Sequence, residues 1–245
     1  KLGPAGFGGS AFVGLVEPLS YRVRFENKSD ASAPARQVIV TDTLNTDVDL
    51  STLELTEITF ANRILTIPTG KSRYAGQMPI TVTNAFGTNS VLVAVQASVD
   101  EATRELRLSL SALDPNTGWF HEDPLVGLLY PNDDTGRGVG SISYLIRPRS
   151  GLPTGTRIEN RARIVFDYND PIDTPLVFNT IDSGLPASHV LTLPAEDGST
   201  FLVQWAGQYD AGGSGLAGFD IHVTENGTNQ FVWQSQTIGA SAWFR

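Results

Sequence analysis

The sequence predicts an all-β chain: an antiparallel β-sandwich followed by a second, smaller sandwich. Three observations carry that prediction. Apolar and polar residues alternate with period two in one segment after another, Gly, Pro, Asn and Asp punctuate the intervals, and no stretch of helical length shows an apolar stripe of 3.6-residue period. Successive side chains on a strand point to opposite faces, so alternation marks a sheet with one face packed and the other wet.

Leu19-Ser20-Tyr21-Arg22-Val23-Arg24-Phe25-Glu26 puts its apolar members on one face and Arg22, Arg24 and Glu26 on the other. A polar turn, Asn27 to Pro34, leads into Gln37-Val38-Ile39-Val40-Thr41. Val91 to Val99 and Glu105 to Leu113 flank Asp100-Glu101-Ala102-Thr103-Arg104 and read as a hairpin. Ser141 to Arg147, Arg157 to Phe166 and Leu176 to Ile181 complete the strands legible in this part. Between them lies the 25-residue segment 114–138, too rich in Trp119, Phe120, Leu and Val for disorder. Connections of that length are uncommon in compact domains and usually functional, so a packed loop with a short helical turn is expected.

A boundary falls at Ser183-Gly184-Leu185-Pro186, dividing the chain into residues 1–184 and 185–245. Beyond it the alternation restarts at His189 to Leu193, Thr200 to Trp205, Gly218 to Thr224 and Gln230 to Gln234. Turns are expected at Glu196-Asp197-Gly198, at 208–215 and at Asn226-Gly227, the last a strong hairpin signal because both central residues need positive φ. The chain opens on Lys1 rather than Met and closes on Trp243-Phe244-Arg245, and so reads as a piece whose last domain is incomplete.

Acids outnumber bases 26 to 17, giving a net charge of −9. Such a surface repels phosphate backbones, which argues against nucleic acid as a partner. No run approaches the roughly 20 apolar residues of a membrane-spanning helix, so membrane insertion is not expected. The absence of cysteine removes disulfides, thiolate nucleophiles and cysteine-ligated metals from consideration. Stability must come from packing or from bound metal.

Calcium is the metal the acids suit, since it takes six to eight oxygens at about 2.3–2.6 Å. Asp167, Asn169 and Asp173 fall within the turn Asp167-Tyr168-Asn169-Asp170-Pro171-Ile172-Asp173, and Asp133 and Asp134 lie in the long loop. These five are the candidate ligands; the competing reading is turn capping by Asp and Asn side chains. Trp119, Phe120, Tyr130 and Trp243 are candidate stacking residues for a sugar ring, the first three also as ligand-binding residues, whereas Trp205 and Trp233 read as core. His121 has acidic neighbours, but adjacent strand residues face opposite ways and rarely form a triad. A lysine–asparagine isopeptide link needs a buried lysine beside an asparagine and an acid. Lys28 sits in a polar turn and Lys71 beside Gly70, so neither reads as buried.

Two stretches carry resemblances. Phe201-Leu202-Val203-Gln204-Trp205-Ala206-Gly207 followed by Asp210-Ala211-Gly212-Gly213-Ser214-Gly215-Leu216-Ala217-Gly218-Phe219-Asp220-Ile221 resembles a bacterial fibronectin type III or related immunoglobulin-like module. Tyr21 to Asn27, Val38-Ile39-Val40-Thr41-Asp42-Thr43-Leu44 and Gly155-Thr156-Arg157-Ile158-Glu159-Asn160-Arg161-Ala162 are similar to conserved repeat domains of large bacterial surface and adhesin-like proteins. The resemblance implies β-sandwiches, an extracellular or cell-surface location, and no defined activity. The function expected is a non-catalytic spacer or adhesion module pair, calcium-stabilised, whose partners are other domains of the same large protein and a surface glycan or protein ligand. The alternative is an accessory carbohydrate- or protein-binding module attached to an exoenzyme.

Overall fold

Leu19 to Glu26 alternate strictly between buried and exposed along all eight residues, as the sequence pattern requires. In the computed structural model, which describes residues 1–84, 87–193, 200–225 and 227–245, this segment is β2 of an antiparallel sandwich. The strands in chain order are β1 (Phe12–Gly14), β2 (Leu19–Glu26), β3 (Gln37–Thr43), β4 (Val48–Phe60), β5 (Arg63–Thr66), β6 (Tyr74–Asn84) and β7 (Gly87–Asp100). Then come β8 (Glu105–Leu113), β9 (Val139–Pro148), β10 (Arg157–Asn160), β11 (Ala162–Phe166), β12 (Ile172–Asp173) and β13 (Val177–Asp182). No helix occurs among the described residues, and so none is long and apolar enough to cross a membrane.

The chain forms two compact units. The first comprises Lys1–Leu152 and Thr156–Ile181, the second Pro153–Gly155 and Asp182–Arg245. In the first, a four-stranded sheet runs β2-β9-β4-β5, a six-stranded sheet β12-β11-β3-β8-β7-β6, and a three-stranded sheet β1-β13-β10. Their inward faces share one core: Tyr21, Val23 and Phe25 from β2, Leu55, Ile58 and Phe60 from β4, Val38 and Val40 from β3, Leu108 and Leu110 from β8. Gly140 of β9 is obligatory there, because a Cβ would stand 2.1 Å from the Phe25 ring and 2.8 Å from the Thr59 carbonyl oxygen.

The expected hairpin is present, closing at Asp100 opposite Glu105. Other elements depart from expectation for identifiable reasons. The segment 157–166 is two strands: β10 pairs with β13 and β11 with β3, so the chain changes sheets at Arg161. β4 goes unrecognised in the sequence because two register shifts, between Asp49 and Glu54 and between Leu55 and Glu57, break its alternation. β6 is an edge strand carrying Pro79, and an edge tolerates the missing donor. The loop 114–138 is packed, with Val126, Leu128 and Leu129 fully buried, and an i→i+4 bond, Gly118 N–H to Asp114 O (2.8 Å), makes a single helical turn that is not continued into a helix.

The second unit contains β14 (Ala187–Val190), β15 (Phe201–Gln208), β16 (Phe219–Glu225), β17 (Asn229–Thr237) and β18 (Ser241–Phe244). A three-stranded sheet runs β14-β15-β18 and a hairpin joins β16 to β17. Val203, Trp205 and Ile221 form the core, with Phe201, Phe219, Trp233 and Phe244 packed against it. β18, unassigned from sequence, pairs Phe244 with Phe201 of β15. The turn expected at Glu196-Asp197-Gly198 and Asn226 of the Asn-Gly turn lie outside the described residues; Gly227 has φ 74°.

Candidate functional site

The five candidate calcium ligands already have structural roles or stand apart. Asp167, itself at φ 52°, accepts the backbone N–H of Arg36 (2.9 Å) and of Gln37 (2.8 Å), which fixes the start of β3. Asn169 closes the turn after β11 by donating its backbone N–H to Phe166 O (2.9 Å). Asp173 accepts from Arg163 Nε at 2.9 Å, and that bond holds its carboxyl below the usual range. Asp133 takes the Thr135 hydroxyl and N–H and pairs with Arg137 at 3.0 Å; Asp134 is exposed. Among the described residues no three His, Asp or Glu side chains gather as a metal site. A calcium ion held at 100 times its Kd would add about 2.7 kcal/mol. Chelation followed by calorimetry tests the calcium reading: a fall in melting temperature on chelation is the result it expects, and an unchanged melting temperature overturns it.

The aromatic candidates differ in their surroundings. Trp119 is 77% exposed, and Arg36 lies over the Phe120 ring at 5.6 Å. Tyr130 packs against the core and donates its hydroxyl to Leu125 O at 3.1 Å. His121 accepts the Asp123 N–H through Nδ1 at 3.1 Å, so its ring closes a turn. In the second unit, a shallow cleft is lined by Tyr209, Asp210, Phe219 and Asp182, whose carboxylate accepts the Ser214 N–H at 2.9 Å.

The most unusual chemistry lies elsewhere. The Lys1 side chain is fully buried, and its ammonium contacts Asp42 Oδ2, itself on a side chain only 1% exposed. Lys1 Nζ donates to Tyr144 Oη (3.1 Å), Tyr144 donates to Asp42 Oδ2 (2.6 Å), and Asn160 Nδ2 donates to Tyr144 Oη (2.9 Å). One hydroxyl thus makes one donated and two accepted bonds, its full capacity. Nζ also stands 5.0 Å from the Tyr21 ring centre and 5.5 Å from that of Tyr144. Asp42 Oδ1 and Asn160 Oδ1 are buried with no hydrogen-bond partner among the described residues.

Each group arrives from a different element. Asp42 comes from β3 in the six-stranded sheet, Tyr144 from β9 in the four-stranded sheet and Asn160 from the end of β10. Leu2 exchanges backbone bonds with Arg22 of β2 (2.8 and 3.0 Å), which places Lys1 over the cluster. Asn179 of β13 anchors the same segment by donating to Pro4 O and Ala11 O, both at 3.1 Å. Burial pulls the Lys1 ammonium down to about 8 against the opposing pull of Asp42. Burial, with the Asp42 charge beside them, pushes the Tyr21 and Tyr144 hydroxyls up.

Sequence reasoning missed this cluster, although a signal existed. In Val38-x-Val40-x-Asp42 and Ile158-x-Asn160-x-Ala162 the polar residue holds the inward position of an apolar alternation. Parity alone marks both as buried polar groups needing partners. Lys1 precedes the first strand and carries no such pattern.

Residues 108–180 match the family model described as Domain of unknown function (DUF7619). That segment runs from β8 to β13 and contains Tyr144 and Asn160. No curated protein matches the chain. Among solved structures, the chain is similar to the collagen-binding domain from a Staphylococcus aureus adhesin, at 11% identity and TM-score 0.32, covering 67% of this chain and 87% of that one. It is also similar to domains D2 and D3 of the major pilin SpaD from Corynebacterium diphtheriae, at 10% identity and TM-score 0.38, covering 94% and 69%.

Proposed function

We propose that the chain is a non-catalytic structural module pair of a large extracellular or cell-surface bacterial protein, serving as a spacer that bears load between other domains. The observation that carries this reading is the first unit's single apolar core, which runs through all three sheets and encloses a polar cluster joining them. Such a core resists local opening, because a break in any sheet exposes buried apolar surface together with buried polar groups. Single-molecule stretching of the full chain from both ends tests it. The second unit, whose core among the described residues is the small cluster Val203, Trp205 and Ile221, is expected to extend first while the first unit stays folded. Extension of the first unit at equal or lower force overturns the reading.

One observation favours a second reading, an accessory binding module for a surface glycan or protein. Trp119 presents an exposed ring on a loop whose base is fully buried. Retention of the chain on an immobilised polysaccharide that is lost in Trp119→Ala would support it.

A further inference from the structure

We propose that Lys1 Nζ and Asn160 Cγ join in an intramolecular amide, with Asp42 as the proton carrier and Tyr144 as the relay. The inference stands on the buried cluster alone and holds whether or not the chain is a spacer.

The geometry assigns the roles. A buried ammonium in contact with a buried carboxylate sits where charge is costly, so transfer of the proton from Nζ to Asp42 Oδ2 leaves two neutral partners. The fall of the Lys1 ammonium to about 8 follows from the same burial. The amine so formed is a nucleophile screened from water. Asp42 is assigned as the proton carrier because its Oδ2 accepts from both Lys1 Nζ and Tyr144 Oη, which connects the amine to the relay. The remaining side-chain carbonyl in the cluster is that of Asn160. Its Nδ2 and the Lys1 Nζ reach the same Tyr144 oxygen, at 2.9 and 3.1 Å, and its Oδ1 has no partner among the described residues.

The reaction balances within the cluster. The Nζ lone pair forms a bond to Asn160 Cγ and the Cγ–Nδ2 bond breaks. The proton held by Asp42 passes through Tyr144 Oη to Nδ2, which leaves as ammonia. One of the two amine protons stays on the new amide, and the other returns to Asp42. No oxidant, reductant or metal is required. The product removes a buried cation and ties the segment ahead of β1 to the end of β10.

Intact mass spectrometry of the denatured full chain tests the proposal. The expected mass is below the sequence mass by one ammonia, about 17 Da, and a digest is expected to yield one branched peptide containing residues 1 and 160. Lys1→Met, Asn160→Ala and Asp42→Ala are each expected to run at their full sequence masses. A wild-type chain at full mass, with residues 1 and 160 on separate peptides, overturns the proposal. So does a loss of about 18 Da placed by fragmentation between Lys1 and Asp42, which would make the carboxyl the acceptor. The wild-type digest decides by itself should a variant fold poorly. A second readout is independent of mass. In Asn160→Ala the Lys1 amine is free, facing Asp42, Tyr21 and Tyr144, and its folded value of about 8 lies below its ordinary 10.5. Between those values the unfolded chain holds a proton that the fold releases, so stability rises with pH across that window. The linked wild type is expected to lack this rise, and its presence there would count against the bond.

Discussion

In an Asn160→Ala background, where no amide can form and Lys1 keeps its charge, Asp42→Ala is expected to lower the stability of the first unit by about 3–5 kcal/mol, the cost of leaving a buried charge without its partner. Asp42 takes both the Lys1 ammonium and the Tyr144 hydroxyl proton, so its loss strands two donors on side chains that are fully buried or nearly so. The Tyr144 donor alone accounts for about 1–3 kcal/mol of that figure, the desolvation cost of an unmade hydrogen bond. A double-substitution cycle separates the two contributions. In a chain already carrying Lys1→Met there is no cation to strand, and adding Asp42→Ala is expected to cost only the tyrosine's share. Urea midpoints of the four chains, followed by hydrogen exchange in β3 and β9, measure the coupling. Equal costs in the two backgrounds would show that Lys1 and Asp42 act separately, and the cluster would then be four coincidental neighbours.

The same cluster shows where the sequence is legible and where it is not. β2 can be read directly, because every second residue from Leu19 to Phe25 is apolar and no bulge interrupts it. β4 cannot, because its two register shifts move apolar residues off parity, and parity is the only signal a single strand offers. Asp42 and Asn160 are intermediate cases. Alternation places both indoors, but nothing local says that they meet, since their encounter depends on the change of sheets at Arg161. Lys1 is illegible. Its burial follows from Leu2 pairing with Arg22 and from Asn179 holding Pro4, partners 20 and 175 positions away. Considering only Lys28 and Lys71 as buried amines therefore overlooks the one lysine that is buried. The acidic turns show the converse. Asp133, Asp167 and Asp173 look like ligands because turn capping and metal ligation call for the same residue types, and three-dimensional placement alone separates them.

Trp205→Ala is expected to unfold the second unit. Trp205 is 3% exposed and is the largest buried core side chain among the described residues of this unit, packed with Val203 and Ile221. Phe219 meets its ring edge-on at 6.4 Å and Trp233 at 6.3 Å, and Trp233 in turn meets Phe244 at 5.2 Å. Truncation of a buried tryptophan costs about 3–5 kcal/mol, and each lost aromatic pair adds about 0.5–1.5 kcal/mol. A unit of this size has roughly 3–10 kcal/mol to lose at 0.05–0.15 kcal/mol per residue, so the deletion removes most or all of it. Hydrogen exchange read peptide by peptide checks this: protection is expected to vanish from β15 and β16 while β2 keeps its own. Trp243, 61% exposed on β18, supplies the control, since its truncation removes little buried surface and is expected to leave β15 protected. If β15 stayed protected in Trp205→Ala as well, the stability of this unit would have to come from its backbone ladders and not from the aromatic stack between its strands.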